Sequence, residues 1–327
     1  MPWLSILVPT YNRADCLQEC LESIARDVVS SNGMEVEVIV SDNCSTDNTQ
    51  KVCESFVRRF PNSFFYFRQE KNIGPSDNFT FLIRHGHGRF LKFQQDKFAV
   101  EPGVVGKIVE IVKKHETEHP VLYFGNEYMV HLPIGVYPIR AFDELADTVS
   151  YWTTWIGGYG LWRDEVDVAV PIQDKYAATL LQQVAVIWNL FSRNKVGYLY
   201  NFKQYHNCQA AVTNDGGYNV AEVFSKNYLG MLREFLYPGG LSKAAFEREK
   251  KRLYFGHVYG MYFDFEHCFR FKKGDFLRHT KDFHTNWYYW MSLAAVPVFR
   301  FVGNMSPTAR QKFFAMIRWV REKVVAR

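Results

Sequence analysis

The chain has 327 residues, 47% of them apolar and 17% aromatic, too many for one small domain and about right for an α/β catalytic domain with an accessory part. Its 39 Lys and Arg against 34 Asp and Glu leave a net charge of +5. The bases are scattered until the C-terminal stretch, which argues against nucleic acid as a partner and suits a phosphate-bearing substrate or an anionic surface.

In chain order, Leu4 to Val8 reads as a short buried strand ended by Pro9 and the polar Tyr11-Asn12-Arg13, and Leu17, Cys20, Leu21 and Ile24 follow at helical spacing. Val36 to Val40 is β-branched and strand-like. It runs into Ser41-Asp42-Asn43-Cys44-Ser45-Thr46-Asp47, a loop of helix-capping residues ahead of a helix over 48–60. Strands are predicted at Phe64–Phe67, Phe90–Phe93 and Val121–Phe124, with helices over Asp77–His85 and Val104–His115 between them. This alternation predicts an α/β fold with a mainly parallel sheet and helices on both faces, whose ligands collect beyond the carboxyl ends of the strands.

A last strand is expected at Val196–Tyr200, and from about Tyr218 the pattern turns helical, over Ser242–Phe271, Asp275–His284 and Ser306–Val325. The expected division is residues 1–216, an α/β catalytic domain, and 217–327, a helical C-terminal region. Six cysteines without a Cys-x-x-Cys pair predict free thiols in a reducing compartment. No signal peptide opens the chain, and the apolar run Trp287–Val302 is interrupted by Pro297 and Arg300, so a cytoplasmic location is expected.

Three loops are predicted to meet at the sheet's carboxyl edge. Pro9-Thr10-Tyr11-Asn12-Arg13 leads into a helix N-terminus, where backbone N–H groups attract anions and Tyr11 offers a flat face to a base. In the second loop Asp42 can accept from a nucleobase or a ribose hydroxyl, whereas Ser45 and Asp47 are set to cap the following helix. The third region runs from Asn72-Ile73-Gly74-Pro75 to Gln94-Gln95-Asp96, where Asp96 closes a strand beside the position of a diphosphate.

The segments Ser5–Arg13, Val38–Asp47 and Asn72–Pro75, followed by Asp96, resemble family 2 glycosyltransferases in order and approximate spacing. The resemblance covers residues 1–126 well and is not evident beyond Gly217. It implies the Rossmann-like A-type nucleotide-diphospho-sugar transferase fold, with Pro9, Thr10, Tyr11, Arg13, Asp42, Asn72, Gln95 and Asp96 around a nucleotide-diphosphate sugar. It further implies inverting transfer to a glycan or lipid-diphosphate-linked acceptor in surface polysaccharide synthesis.

The family's aspartate cluster for Mg²⁺ or Mn²⁺ is reduced here to Asp96, with Lys97 beside it and His206 the other candidate ligand. The general base expected of an inverting enzyme is sought after the loop Trp155–Gly160, with Asp174 first and Asp164 and Glu165 behind it. The usual Glu-Asp pair is absent, and Gln182 and Gln183 stand in the next helix. A nucleotidyltransferase would need a Gly-rich basic loop after the first strand, which is missing. A catalytically weakened nucleotide-sugar-binding protein stays open as the alternative. The basic, apolar stretch Ser306–Arg327 reads equally as a packed terminal helix or as a peripheral contact with the inner face of the cell membrane.

Overall fold

The structure is a computed structural model, and it describes residues 1–30, 35–127, 132–209, 217–263, 271–272, 274–303, 312, 315–316 and 319. The chain divides into two compact units, Met1–Val212 and Thr213–Arg327.

The first unit begins with β1 (Leu4–Thr10), α1 (Ala14–Ser30), β2 (Val36–Asp42), α2 (Thr49–Arg59), β3 (Phe64–Arg68), α3 (Gly74–His85), β4 (Phe90–Phe93), β5 (Phe98–Val100) and α4 (Val104–Lys114). It continues with β6 (Val121–Asn126), β7 (Gly135–Ile139), α5 (Phe142–Thr148), β8 (Gly160–Trp162), α6 (Val166–Tyr176), α7 (Gln182–Asn194), β9 (Gly197–Phe202) and β10 (Tyr205–Asn207).

The main sheet has the order β3-β2-β1-β4-β8, parallel except for β8, which runs antiparallel to β4. β1 is apolar on both faces because both are covered. Leu4, Ile6 and Val8 pack into one cluster with Leu17, Leu21 and Ile24 of α1 and Ile108 and Val112 of α4. On the opposite face α3 lies against β1 and β2. At the amino edge Gly88 brings its backbone so close that a Cβ there would fall 2.5 Å from the Ser5 nitrogen. The buried Glu37 carboxylate accepts from Ser5 Oγ and the Gly88 N–H at that edge.

Two expectations change. Val121–Phe124 is no part of the main sheet, because β6 pairs in parallel with β9, and β7 adds antiparallel to β9, in a separate three-stranded sheet. Four short strands carry too little periodicity to be foreseen: β5 and β10, which pair antiparallel, and β7 and β8.

The second unit contains α8 (Tyr228–Arg233), α9 (Lys243–Leu253), α10 (Tyr259–Phe263), α11 (Phe276–His279) and α12 (Trp287–Gly303). Ser242 caps α9 by accepting from the Ala245 N–H, and Asp275 caps α11 through the Arg278 N–H. The expected helix over Asp275–His284 is only a short α-turn, because His279 is followed by a 3₁₀ turn over Lys281–Phe283. The apolar run Trp287–Val302 is helical despite Pro297. Tyr254, Phe283 and Tyr289 form an aromatic core, with centroids 4.9 Å apart for Tyr254 and Phe283. The tail helix expected over Ser306–Val325 lies almost wholly outside the described residues. No helix among the described residues is long and apolar enough to cross a membrane.

Candidate functional site

The carboxyl ends of β1, β2 and β4 lie side by side, since Thr10 is in register with Asp42 and Leu7 with Phe93. Parallel strands put their following loops on one edge, and two hydrogen-bonded groups form there. In the first, Thr10 Oγ1 and Arg13 Nη1 each donate to one Asp96 oxygen, both at 2.9 Å. Asp96 is buried, while the Arg13 side chain is 49% exposed, so a cation stands at the lip over a buried carboxylate. Burial, with the Arg13 charge behind it, pulls the Lys97 ammonium below the usual lysine range.

The second group is built on Asp42, which is fully buried. Its carboxylate accepts from the Ser45 N–H at 2.8 Å and from Tyr66 Oη at 2.9 Å, with Arg68 Nε 3.8 Å away. Asn43 Nδ2 donates to Asn72 Oδ1 at 3.0 Å, and Asn43 Oδ1 accepts from the Ile73 N–H at 2.8 Å. The Asn43 N–H donates to the Thr10 carbonyl at 3.0 Å and joins the two groups. Tyr11 is 45% exposed and Asn72 is exposed, so both have free faces on this edge.

The turn that holds them is itself strained. Asn12 and Cys44 take left-handed conformations with φ of 51° and 65°, rare for residues with a Cβ, and for Cys44 without asparagine's tolerance. The Asn12 N–H donates to Ser45 Oγ, and Asn12 Oδ1 accepts from the Thr46 N–H at 2.7 Å. Ser45 therefore clasps the first loop to the second rather than capping α2. Asp47 does more than foreseen, accepting from the Ala14 N–H at the start of α1 as well as from the Thr49 N–H and Oγ1 at the start of α2. Burial works against its charge, but the Thr49 and Ala14 hydrogen bonds prevail and hold its carboxyl below the usual range.

The loop Trp155–Gly160 closes on this edge from the other side. Trp155 Nε1 donates to Gln95 Oε1 at 2.8 Å, the Phe93 N–H donates to the Tyr159 carbonyl, and Gln183 Nε2 donates to the Thr154 carbonyl at 2.7 Å. Lys92 holds the loop from below. It is buried on β4, and its ammonium donates to the Gly157 carbonyl at 2.7 Å and to Tyr205 Oη at 2.5 Å. Burial draws its pKa down to about 7. Lys92 and Tyr205 were missed as site-building residues. The one signal was a lysine in the otherwise apolar strand Phe90-Leu91-Lys92-Phe93.

The acid candidates separate. The Arg163 N–H donates to the Arg89 carbonyl, so Asp164 and Glu165 sit at the amino end of β4, the edge opposite Asp96. Asp164 Oδ2 lies 2.9 Å from His119 Nδ1. Glu165 accepts from the Trp162 N–H and from Asn194 Nδ2, and burial raises its pKa to about 7. The antiparallel return of β8 carries both away from the site. α6 then runs back toward the carboxyl edge and brings Asp174, in its last turn, against Thr80 Oγ1 of α3 at 3.3 Å.

His206 does not join Asp96 around one ion. Its Nδ1 faces Glu101 at 2.9 Å, beside Lys203 Nζ at 3.0 Å from the same oxygen. No group of three His, Cys, Asp or Glu among the described residues could hold a metal ion. A hard divalent cation takes about six or more oxygens. Among the described residues the carboxylates at this edge, Asp96, Asp42 and Asp47, are each already engaged by protein donors, so they do not make a metal cage.

Residues 5–129 match the family model described as Glycosyl transferase family 2. The chain is 31% identical over 87 residues to the abequosyltransferase RfbV of Salmonella typhimurium, a stretch covering 27% of this chain and 26% of that protein. It is 27% identical over 110 residues to the GalNAc(5)-diNAcBac-PP-undecaprenol beta-1,3-glucosyltransferase of Campylobacter jejuni, covering 34% of each. The chain thus spans about a third or less of the length of these curated relatives. Among solved structures, S. aureus TarS residues 1–349 superpose with a TM-score of 0.56 at 18% identity, over 78% of this chain and 72% of that one. The same protein in complex with UDP-GlcNAc superposes with a TM-score of 0.51, also at 18% identity and over the same shares of the two chains.

Proposed function

We propose that this chain, a family 2 glycosyltransferase on the A-type fold, moves a sugar with inversion from a nucleotide-diphosphate donor to a glycan or lipid-diphosphate-linked acceptor in surface polysaccharide synthesis. The observation that carries this reading is the convergence of the β1, β2 and β4 loops, with Thr10 and Arg13 on Asp96 and Asn43 bridging to Asn72. The complex of TarS with UDP-GlcNAc supports a nucleotide-sugar partner.

The nucleoside lies along Tyr11 and Asn72, with the fully buried Asp42 holding Ser45 and Tyr66 behind them rather than touching the base, and the diphosphate lies over Arg13 and Lys97. As the bond from the anomeric carbon to the diphosphate breaks, negative charge grows on the leaving oxygen and the guanidinium stabilises it. Asp96 keeps that guanidinium in place and limits its wandering into solvent. A divalent ion carried in on the diphosphate would meet only carboxylates already engaged by protein donors, so Arg13 and Lys97 take the larger share of the charge. The acceptor hydroxyl attacks from the opposite face and gives its proton to Asp174, the one candidate acid whose helix returns toward this edge.

Nucleotide sugars with uridine, guanosine, cytidine and thymidine bases are screened by thermal shift, then by donor hydrolysis with and without Mn²⁺. One donor class is expected to raise the melting temperature. Asp96→Asn is expected to lower turnover of that donor about a hundredfold or more, because the charge that steadies Arg13 is gone. Stabilisation by a donor without turnover under any condition would support a binding protein instead, and no stabilisation by any donor would overturn both.

A further inference from the structure

Helix α12 has two apolar sides, and among the described residues only one of them is covered. Tyr288, Tyr289 and Val296 are buried, in an aromatic core with Tyr254 and Phe283. On the other side, Trp287 is 70% exposed, Trp290 50% and Met291 64%, and the exposed Ala294 follows. These positions are i, i+3, i+4 and i+7, which one helical face presents as a continuous stripe. A helix that is apolar all round needs a second apolar partner, and scattered surface hydrophobes do not line up in this way.

We infer that this face of α12 is a docking surface for an anionic phospholipid bilayer, on which the helix lies flat. Two exposed tryptophans on one face suit the headgroup boundary, where an amphipathic ring is most at home. Charge argues in the same direction. Lys272, Arg278 and Lys281, on the segment leading into α12, are all exposed, and residues 300–327 hold seven Lys or Arg against the single acid Glu322. Basic residues close in sequence to a Trp- and Met-lined stripe complement anionic headgroups around an apolar interior. α12 is not long and apolar enough to cross the bilayer, so it rests on the surface. This surface rests on the reading above for the reason a membrane-borne acceptor is near, while its own residues take no part in nucleotide binding.

The test is flotation of the full-length protein with phosphatidylcholine vesicles, with and without phosphatidylglycerol. Three proteins are compared: wild type, the triple variant Trp287→Ser, Trp290→Ser, Met291→Ser, and the double variant Trp287→Phe, Trp290→Phe. All three side chains are exposed, and an unchanged nucleotide-sugar thermal shift verifies that the variants are folded. The wild type is expected to float with the anionic vesicles, the serine variant to lose about tenfold or more of its bound fraction, and the phenylalanine variant to retain binding. Equal flotation of wild type and serine variant, or flotation of neither, overturns the assignment. So does a lipid-free dimer in sedimentation that the serine variant abolishes, which would give the face to a second copy of the chain. Loss of the nucleotide-sugar response in the wild type would refute the enzymatic reading and leave the flotation result standing.

Discussion

Replacing Lys92 with methionine keeps an unbranched side chain, one heavy atom shorter, and removes a buried charge. In the folded protein the amine is enclosed, with Gly157 O and Tyr205 Oη as its close acceptors, and its pKa falls from 10.5 to about 7 because burial disfavours the ammonium. In the unfolded chain it returns to about 10.4. Each pKa unit is worth about 1.4 kcal/mol, so below pH 7 the protonated, buried ammonium costs about 5 kcal/mol relative to water. Between pH 7 and 10 the unfolded state holds a proton that the folded state has released. The wild type therefore gains about 1.4 kcal/mol per pH unit from this group as the pH rises. The variant loses the ammonium's hydrogen bonds to the Gly157 carbonyl and the Tyr205 hydroxyl, which keep each other as partners at 3.4 Å, and the two lost bonds cost about 1–3 kcal/mol together. Lys92→Met is thus expected to be about 2–4 kcal/mol more stable than wild type at pH 6, and the advantage should shrink to about zero by pH 9. Urea unfolding followed by circular dichroism at pH 6, 7, 8 and 9 measures the difference, with the other titrating groups common to both proteins. A stability difference that does not change with pH would refute the reasoning.

Asp47→Ala removes one carboxylate that starts two helices, and should destabilise the protein by about 2 kcal/mol in urea unfolding at neutral pH. Because its folded pKa is depressed, that stability is present above the unfolded value and lost as the pH falls through the folded one, so wild type and variant should converge in acid. Glu165→Gln acts with the opposite sign. The folded pKa is raised from 4.5 to about 7, so wild-type stability falls between pH 4.5 and 7, by at most about 3 kcal/mol, and the variant should lack this fall. Since Glu165 sits at the edge opposite Asp96, donor turnover by Glu165→Gln should match wild type in the same assay in which Asp96→Asn fails.

Much of this molecule is written in short stretches of sequence. The buried strand Leu4–Val8, the stripe on α1 and the Asp, Asn and Thr residues that end strands and begin helices depend on neighbours within a few residues. Periodicity and turn chemistry report such local relations directly. They were enough to put Thr10, Asp42, Asn72 and Asp96 on one edge, because parallel strands joined by helices leave their loops together. Tertiary structure decided what needed a register between distant residues. The pairing of β8 with β4 joins positions about 70 residues apart and sent Asp164 and Glu165 to the far edge. That same pairing brought the Gly157 carbonyl onto Lys92 and Trp155 onto Gln95. A hydrophobic pattern specifies which face of a strand is buried and not which distant strand will lie beside it, so these contacts, and the uncovered stripe of α12, became visible only in the folded chain.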